Sequence, residues 1–246
     1  MAVNIIYTAI FFKFNTKNMK KILLFSICVF FALKLSAQTK IEEIKLTSGK
    51  TIIIYNDGTW KEKPKPIVYG KITDARDSKN YKTIKIGTQT WMAENLAYKA
   101  SSACWAYDNN ATNVTKYGYL YDWETAKKVC LSGWHLPSDA EWTTLTNNLG
   151  GEDVAGKKMK STSGWNDYDG ESGNGTNTIG FSALPGGYRY GNEPFDLMGD
   201  YGYWWSSTEY SASNAYYRYM HGSSNNVIRD NYGKTDGISV RCVRDF

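Results

Sequence analysis

Two hydrophobic periods alternate along this chain, and the switches between them mark its elements. From Gly70, "GKITDARDSKNYKTIKIGTQTWMAENL" alternates apolar and polar positions. This predicts strands at Gly70–Thr73, Tyr81–Ile86 and Gln89–Met92, with a turn around Asp77–Asn80. In "YDWETAKKVCLSGW" the period becomes helical. Asp122 is placed to cap, Trp123, Ala126 and Cys130 recur on one face, and Gly133 stops the helix. A second helix starts in "GWHLPSDAEW". Ser138 and Glu141 have capping-box spacing, Leu136 and Trp142 fall at hydrophobic-staple positions, and Trp142, Leu145 and Leu149 line one face up to Gly150-Gly151. Losing the Ser138 cap would cost about 1 kcal/mol. The period of two returns in "YWWSSTE", "AYYRYMH", "NVIRDNY" and "GISVRCVRD". In the last, Ile238, Val240 and Cys242 are expected to face inward and Arg241 outward.

Between helices and late strands, residues 164 to about 202 are glycine-rich without a period. A loop this long in a compact domain is usually either functional or disordered. Upstream, "IKLTSGKTIII" and Asn56-Asp57-Gly58 predict a β-hairpin over 38–60, followed by a charged, proline-broken linker over 61–67. The main domain is then 68–246. The expected fold class is α+β: two short helices packed on small antiparallel sheets, with a long irregular loop region.

The first 37 residues are of another kind. They contain Lys13, Lys17, Lys20, Lys21 and Lys34 and no acid, and "MKKILLFSICVFFALKLSAQ" runs from basic to apolar to small residues. This predicts a signal peptide over 1–37, with the true start at Met19 and cleavage after Ala37. Its apolar run is too short for a comfortable span, so no membrane span is expected in the mature chain. The protein is expected to be exported through the Sec route to the periplasm, cell surface or extracellular space. Of 29 Lys and Arg, five lie in that leader, which leaves 24 against 24 acids. The mature chain is neutral and has no basic stripe, so a nucleic-acid partner is not expected.

The ordered segments "CWAYDNN", "YGYLYDWETAKKVCLSGWHLPSDAEWTTL", "GFSALPGGYR", "GYWWSSTE" and "GISVRCVRD" resemble the Fibrobacter succinogenes major paralogous domain over residues 68–246. That resemblance implies an exported protein. The element order also resembles a C-type-lectin-like fold, in which the helix cysteine pairs with the last-strand cysteine. This maps onto Cys130 and Cys242, and both read as inward-facing. Cys104 is left over, as a buried free thiol or an intermolecular bridge. The Trp-Asn-Asp of sugar-binding C-type lectins precedes a late cysteine. Here Trp165-Asn166-Asp167 has no cysteine nearby, so the lectin sugar site is not carried over.

All nine tryptophans lie after the leader, with many tyrosines. Such residues serve equally as core and as ligand platform. The candidate ligand-binding residues are Trp165, Tyr168, Tyr188, Arg189, Tyr190 and Trp204. Asp167, Asp169, Glu171 and Asn174 alternate oxygen donors with flexible residues, as the start of a calcium loop does, but Thr178 stands where a closing Glu would be needed. Calcium is thus the one cofactor considered; otherwise none is expected. His135 and His221 are the only histidines, and no nucleophile, zinc or phosphate-loop motif accompanies them. The resulting expectation is a non-catalytic module that recognises an extracellular glycan or surface protein through loop 164–200. A self-assembling envelope protein and a hydrolase on a lectin-like scaffold are the alternatives.

Overall fold

A computed structural model describes residues 38–192 and 194–245. The expected signal peptide lies outside them. Residues 38–63 and 64–245 form separate compact units. In the first, β1 (Lys40–Lys45), β2 (Thr51–Tyr55) and β3 (Trp60–Glu62) make an antiparallel sheet in that order. The expected hairpin therefore gains a third strand, which runs into the first residues read as linker.

The second unit is mixed α/β and mostly β. A five-stranded sheet has the order β4 (Gly70–Thr73), β5 (Asn80–Ile86), β6 (Gln89–Met92), β16 (Val243–Arg244), β9 (Trp134–His135). A larger sheet runs β11 (Phe195–Met198), β10 (Gly186–Arg189), β12 (Tyr201–Glu209), β15 (Ile238–Ser239), β8 (Leu120–Tyr121), β7 (Cys104–Trp105); β13 (Asn214–His221) also pairs β12, and β14 (Ile228–Gly233) pairs β13. The helices are α1 (Ala111–Tyr117), α2 (Trp123–Val129), α3 (Asp139–Asn148) and α4 (Glu152–Met159). Only α2 and α3 were expected. α1 has little apolar periodicity and depends on its ends, with Asn110 capping Thr112 N and Gly118 terminating at φ 76°. A Cβ at Gly118 would lie 2.5 Å from the Leu96 carbonyl.

The α3 capping box forms as read. Its Glu141 also meets His135: His135 Nε2 lies 2.8 Å from Glu141 and Nδ1 lies 2.5 Å from Asp245. Leu136 and Trp142 are both buried, but in different clusters rather than as one staple: Ser138 is the cap, so Leu136 stands one residue before the staple position, which Pro137 holds.

That division organises the unit. One core holds Tyr81, Met92, Tyr121, Trp123, Trp205, Ile238, Val240 and Cys242. The other holds Trp91, Trp142, Leu145, Phe181, Trp204, Met220 and Val243. Adjacent residues on one strand point to opposite faces, so Trp204 and Trp205, like Trp91 and Met92, feed one core each. The Cys130–Cys242 disulfide joins the end of α2 to the segment between β15 and β16.

Arg241 corrects the outward placement read from alternation. It is fully buried, because the segment crosses from the larger sheet to the smaller with a core on either side. Its Nη2 and Nε donate to Asn95 Oδ1 at 2.8 and 3.2 Å, and Nη1 donates to the Phe181 carbonyl. The Trp204 indole donates to the same Asn95 oxygen at 2.9 Å, while Asn95 Nδ2 donates to Tyr117 O and Ser239 Oγ. Burial pushes the guanidinium pKa down, to about 9, which leaves it cationic at neutral pH.

Two predictions follow from these contacts. Asn95→Ala would strip the guanidinium and the indole of their shared acceptor and cost about 2–4 kcal/mol. Urea unfolding measures this, and a loss below about 1 kcal/mol would refute the node's importance. His135 is half-buried, and burial alone would lower its pKa; the bonds to Asp245 and Glu141 outweigh that and raise it above its ordinary value. A raised folded pKa stabilises fully below the unfolded value, about 6.5, and the gain is lost as pH rises through the folded one. Thermal midpoints of the wild type should therefore fall more steeply than those of His135→Gln between about pH 6 and pH 8. Parallel profiles would show that the bridge contributes nothing.

Candidate functional site

The 164–200 segment is less irregular than its sequence suggests. Residues Tyr168 to Glu171 close a tight turn, with mutual backbone bonds of 2.9 Å. Asp169 and Gly170 take φ 51° and 79°, as the tip of a type I′ turn requires. Further on, β10 and β11 pair antiparallel, with Tyr188 opposite Asp196. β10 also pairs with β12 in parallel, at Gly187 and Gly202. Gly187 sits at φ 64°, where a Cβ would come within 2.4 Å of the Asp196 carbonyl. Glycine there lets the hairpin approach the sheet.

This approach brings Tyr188 beside tyrosines of the late strands. On β12 and β13 the cross-strand partners are Tyr201 with His221, Tyr203 with Tyr219, and Trp205 with Tyr217. Cross-strand partners share a face. Tyr232 of β14 stacks on Tyr217 at 5.1 Å and on Tyr188 at 5.6 Å. Tyr201 stacks on Tyr203 at 5.7 Å and on the His221 ring at 5.3 Å. Tyr190 reaches Tyr232 at 6.2 Å. The result is one continuous tyrosine face across β10, β12, β13 and β14. Tyr203 and Tyr217 form its buried floor; Tyr188, Tyr201, Tyr219 and Tyr232 are half-buried, and Tyr190 is 53% exposed.

Burial raises the phenol pKa of Tyr203, Tyr217, Tyr219 and Tyr232, so these hydroxyls stay protonated through the physiological range. Asp230 is exposed and lies opposite Tyr217. Near Tyr232, the buried Asp236 carboxylate accepts the Gly191 amide at 2.7 Å and is pushed up in pKa by burial. The rim therefore offers hydroxyl donors and the Asp230 carboxylate around apolar rings. Arg189 turns to the other side, 4.4 Å over the Trp105 ring, and its Nη1 donates to the Gly191 carbonyl.

The remaining sequence candidates divide. Trp165 and Trp204 are core residues, not ligand platforms. Trp204 is fully buried, and Trp165 donates its indole N–H to Ser161 Oγ and the Ala183 carbonyl, each at 3.1 Å. Tyr168 is 66% exposed, but it lines a different cleft of about 490 Å³ with Lys157, Lys160, Asp169 and Glu171. Lys160 is buried there, with a pKa lowered by burial to about 8, and donates to the carbonyls of His221, Gly222 and Ser224. Asp167, Asp169 and Glu171 are exposed around the turn, whereas Asn174 Oδ1 accepts the Trp165 amide. Among the described residues, no three His, Cys, Asp or Glu side chains gather as a metal site would need. His221 Nδ1 lies 2.9 Å from Ser223 Oγ, and among the described residues no carboxylate bonds to this ring to orient it as a base.

Residues 84–244 match the family model of the Fibrobacter succinogenes major domain. The chain belongs to that family. No curated protein and no solved structure matches it. The matched span contains every residue of the tyrosine face, so this face is part of the major domain itself. The candidates read from the sequence include Tyr188 and Tyr190 of this face, but none of Tyr201, Tyr203, Tyr217, Tyr219 and Tyr232. The available signal was the spacing of two within strands, Tyr201 with Tyr203 and Tyr217 with Tyr219. The register that aligns them was not readable.

The division between core and surface aromatics is testable by stability. Trp165→Ala and Trp204→Ala should each cost about 3–5 kcal/mol. Tyr168→Ala and Tyr190→Ala should change stability by no more than about 0.5 kcal/mol. Chemical denaturation of the four variants checks this, and a mild Trp204→Ala would contradict its place in the core.

Proposed function

We propose that this major domain is an exported, non-catalytic binding module whose tyrosine face takes an extracellular glycan. The observation that carries the reading is the unbroken run of stacked rings that the late sheet leaves half-open. Tyrosine gives large, rigid contact area at low entropic cost, and its hydroxyl can bond to a sugar hydroxyl. A rigid sheet is also a better platform than a loop. Loop 164–200 contributes to this face through the β10–β11 hairpin and Tyr188 and Tyr190, not through its acidic turn. The Cys130–Cys242 bond supports export, because disulfides persist in oxidising compartments. The same pairing, from the end of α2 to the segment just before the last strand, supports a C-type-lectin-like scaffold.

A glycan array probed with the purified protein, once with calcium and once with chelator, tests the reading. Saturable binding is expected in both conditions, weakened at least tenfold by Tyr190→Ala or Tyr232→Ala. Binding lost in chelator would move the site to the acidic turn at 167–171 and overturn the tyrosine assignment. No glycan bound in either condition would overturn the ligand class and point to a surface protein or to self-assembly.

A further inference from the structure

Lys79, Lys82 and Lys116 are scattered in the sequence, yet the fold gathers them. The approach to β5, β5 itself and the last turn of α1 bring them around one cleft of about 220 Å³. This is smaller than the usual pocket for a drug-sized ligand and suits one small group. Glu94 is the single carboxylate among the lining residues. The lysine ion pairs among the described residues use Lys40, Lys50, Lys63, Lys127 and Lys234, so the three ammonium groups of the cleft have no carboxylate at ion-pair distance.

A second layer of positive charge lies behind the cleft. Asn95 and Ser182 line it, and both accept hydrogen bonds from the buried Arg241, at Oδ1 and at the carbonyl. Buried cations are normally paired with an acid. Arg241 is held by neutral oxygens alone, with Glu94 the acid that acts on it through space. Its charge is therefore not cancelled within the core. A low-dielectric wall focuses such a field into the adjoining cleft, and the three lysines that line it add to that field.

We propose that this cleft binds a small oxyanion, either the carboxylate of an acidic sugar or free phosphate. Lysines recognise both as point charges. The site shares no residue with the tyrosine face, so it stands or falls independently of the glycan reading.

Amide chemical shifts of the purified protein, followed by NMR during titration with glucuronate, inorganic phosphate and uncharged glucose, provide the test. Both anions should shift the amides of Lys82, Glu94 and Lys116 saturably, and glucose should not. Tighter binding of glucuronate would assign an acidic sugar, and tighter binding of phosphate the free anion. Either response should weaken as salt rises. Lys82→Gln combined with Lys116→Gln alters exposed side chains and should weaken binding at least tenfold. Glu94→Gln removes the opposing charge and should strengthen it several-fold. No saturable shift with either anion, or equal affinity in all variants, would overturn the proposal.

Discussion

One amide oxygen holds the major domain together. Asn95 Oδ1 receives the Trp204 indole and two nitrogens of Arg241, while its amide nitrogen donates to the end of α1 and to β15. These partners come from three separate parts of the chain, α1, β12 and the final segment Ser239–Arg241. A fully satisfied buried network of this kind specifies one arrangement, because every slip leaves a donor unpaired in a dry interior. Its position explains its reach: Arg241 lies in the segment that passes from the larger sheet to the smaller. The node fixes how the two sheets meet.

The tryptophans follow the same logic. Seven of the nine supply a large apolar body to one of the two cores, where a buried N–H requires an acceptor; Trp60 is exposed and Trp105 half-buried. Trp123 finds Ser206 O, Trp142 finds Trp205 O, and Trp205 finds Tyr121 O. These bonds tie α2 and α3 to β12, and β12 to β8. With its tryptophans so engaged, the domain presents its surface aromatics as tyrosines, whose hydroxyls tolerate water. The candidate site is thus the outer margin of the first core, where burial thins but ring stacking continues.

Much of this was legible in the sequence. The capping box of α3, the inward positions of Cys130 and Cys242, and most strands follow from local spacing, because local chemistry alone decides them. The failures share one cause. Alternation predicts an exposed face only when a strand has a solvent side, and Arg241 sits between two cores. Trp204 looked like a platform for the same reason. α4 was hidden by Gly156, a poor helix residue whose missing side chain lets the helix meet the Asn226 carbonyl, which a Cβ would approach to 2.4 Å. The tyrosine face and the lysine cleft are products of register and long-range packing, which no single segment encodes.

The disulfide has a mechanical consequence. It closes a loop with a sequence separation of 112. A force pulling on the two ends of the chain would pass through the sulfurs and bypass everything between them. At about 3.4 Å per residue, roughly 380 Å of contour is thereby withheld from extension. Strands β10 to β14, with all their tyrosines, lie inside that loop. Such a tension acts on the strands β4 to β6 outside the loop and cannot draw out the chain that carries the face.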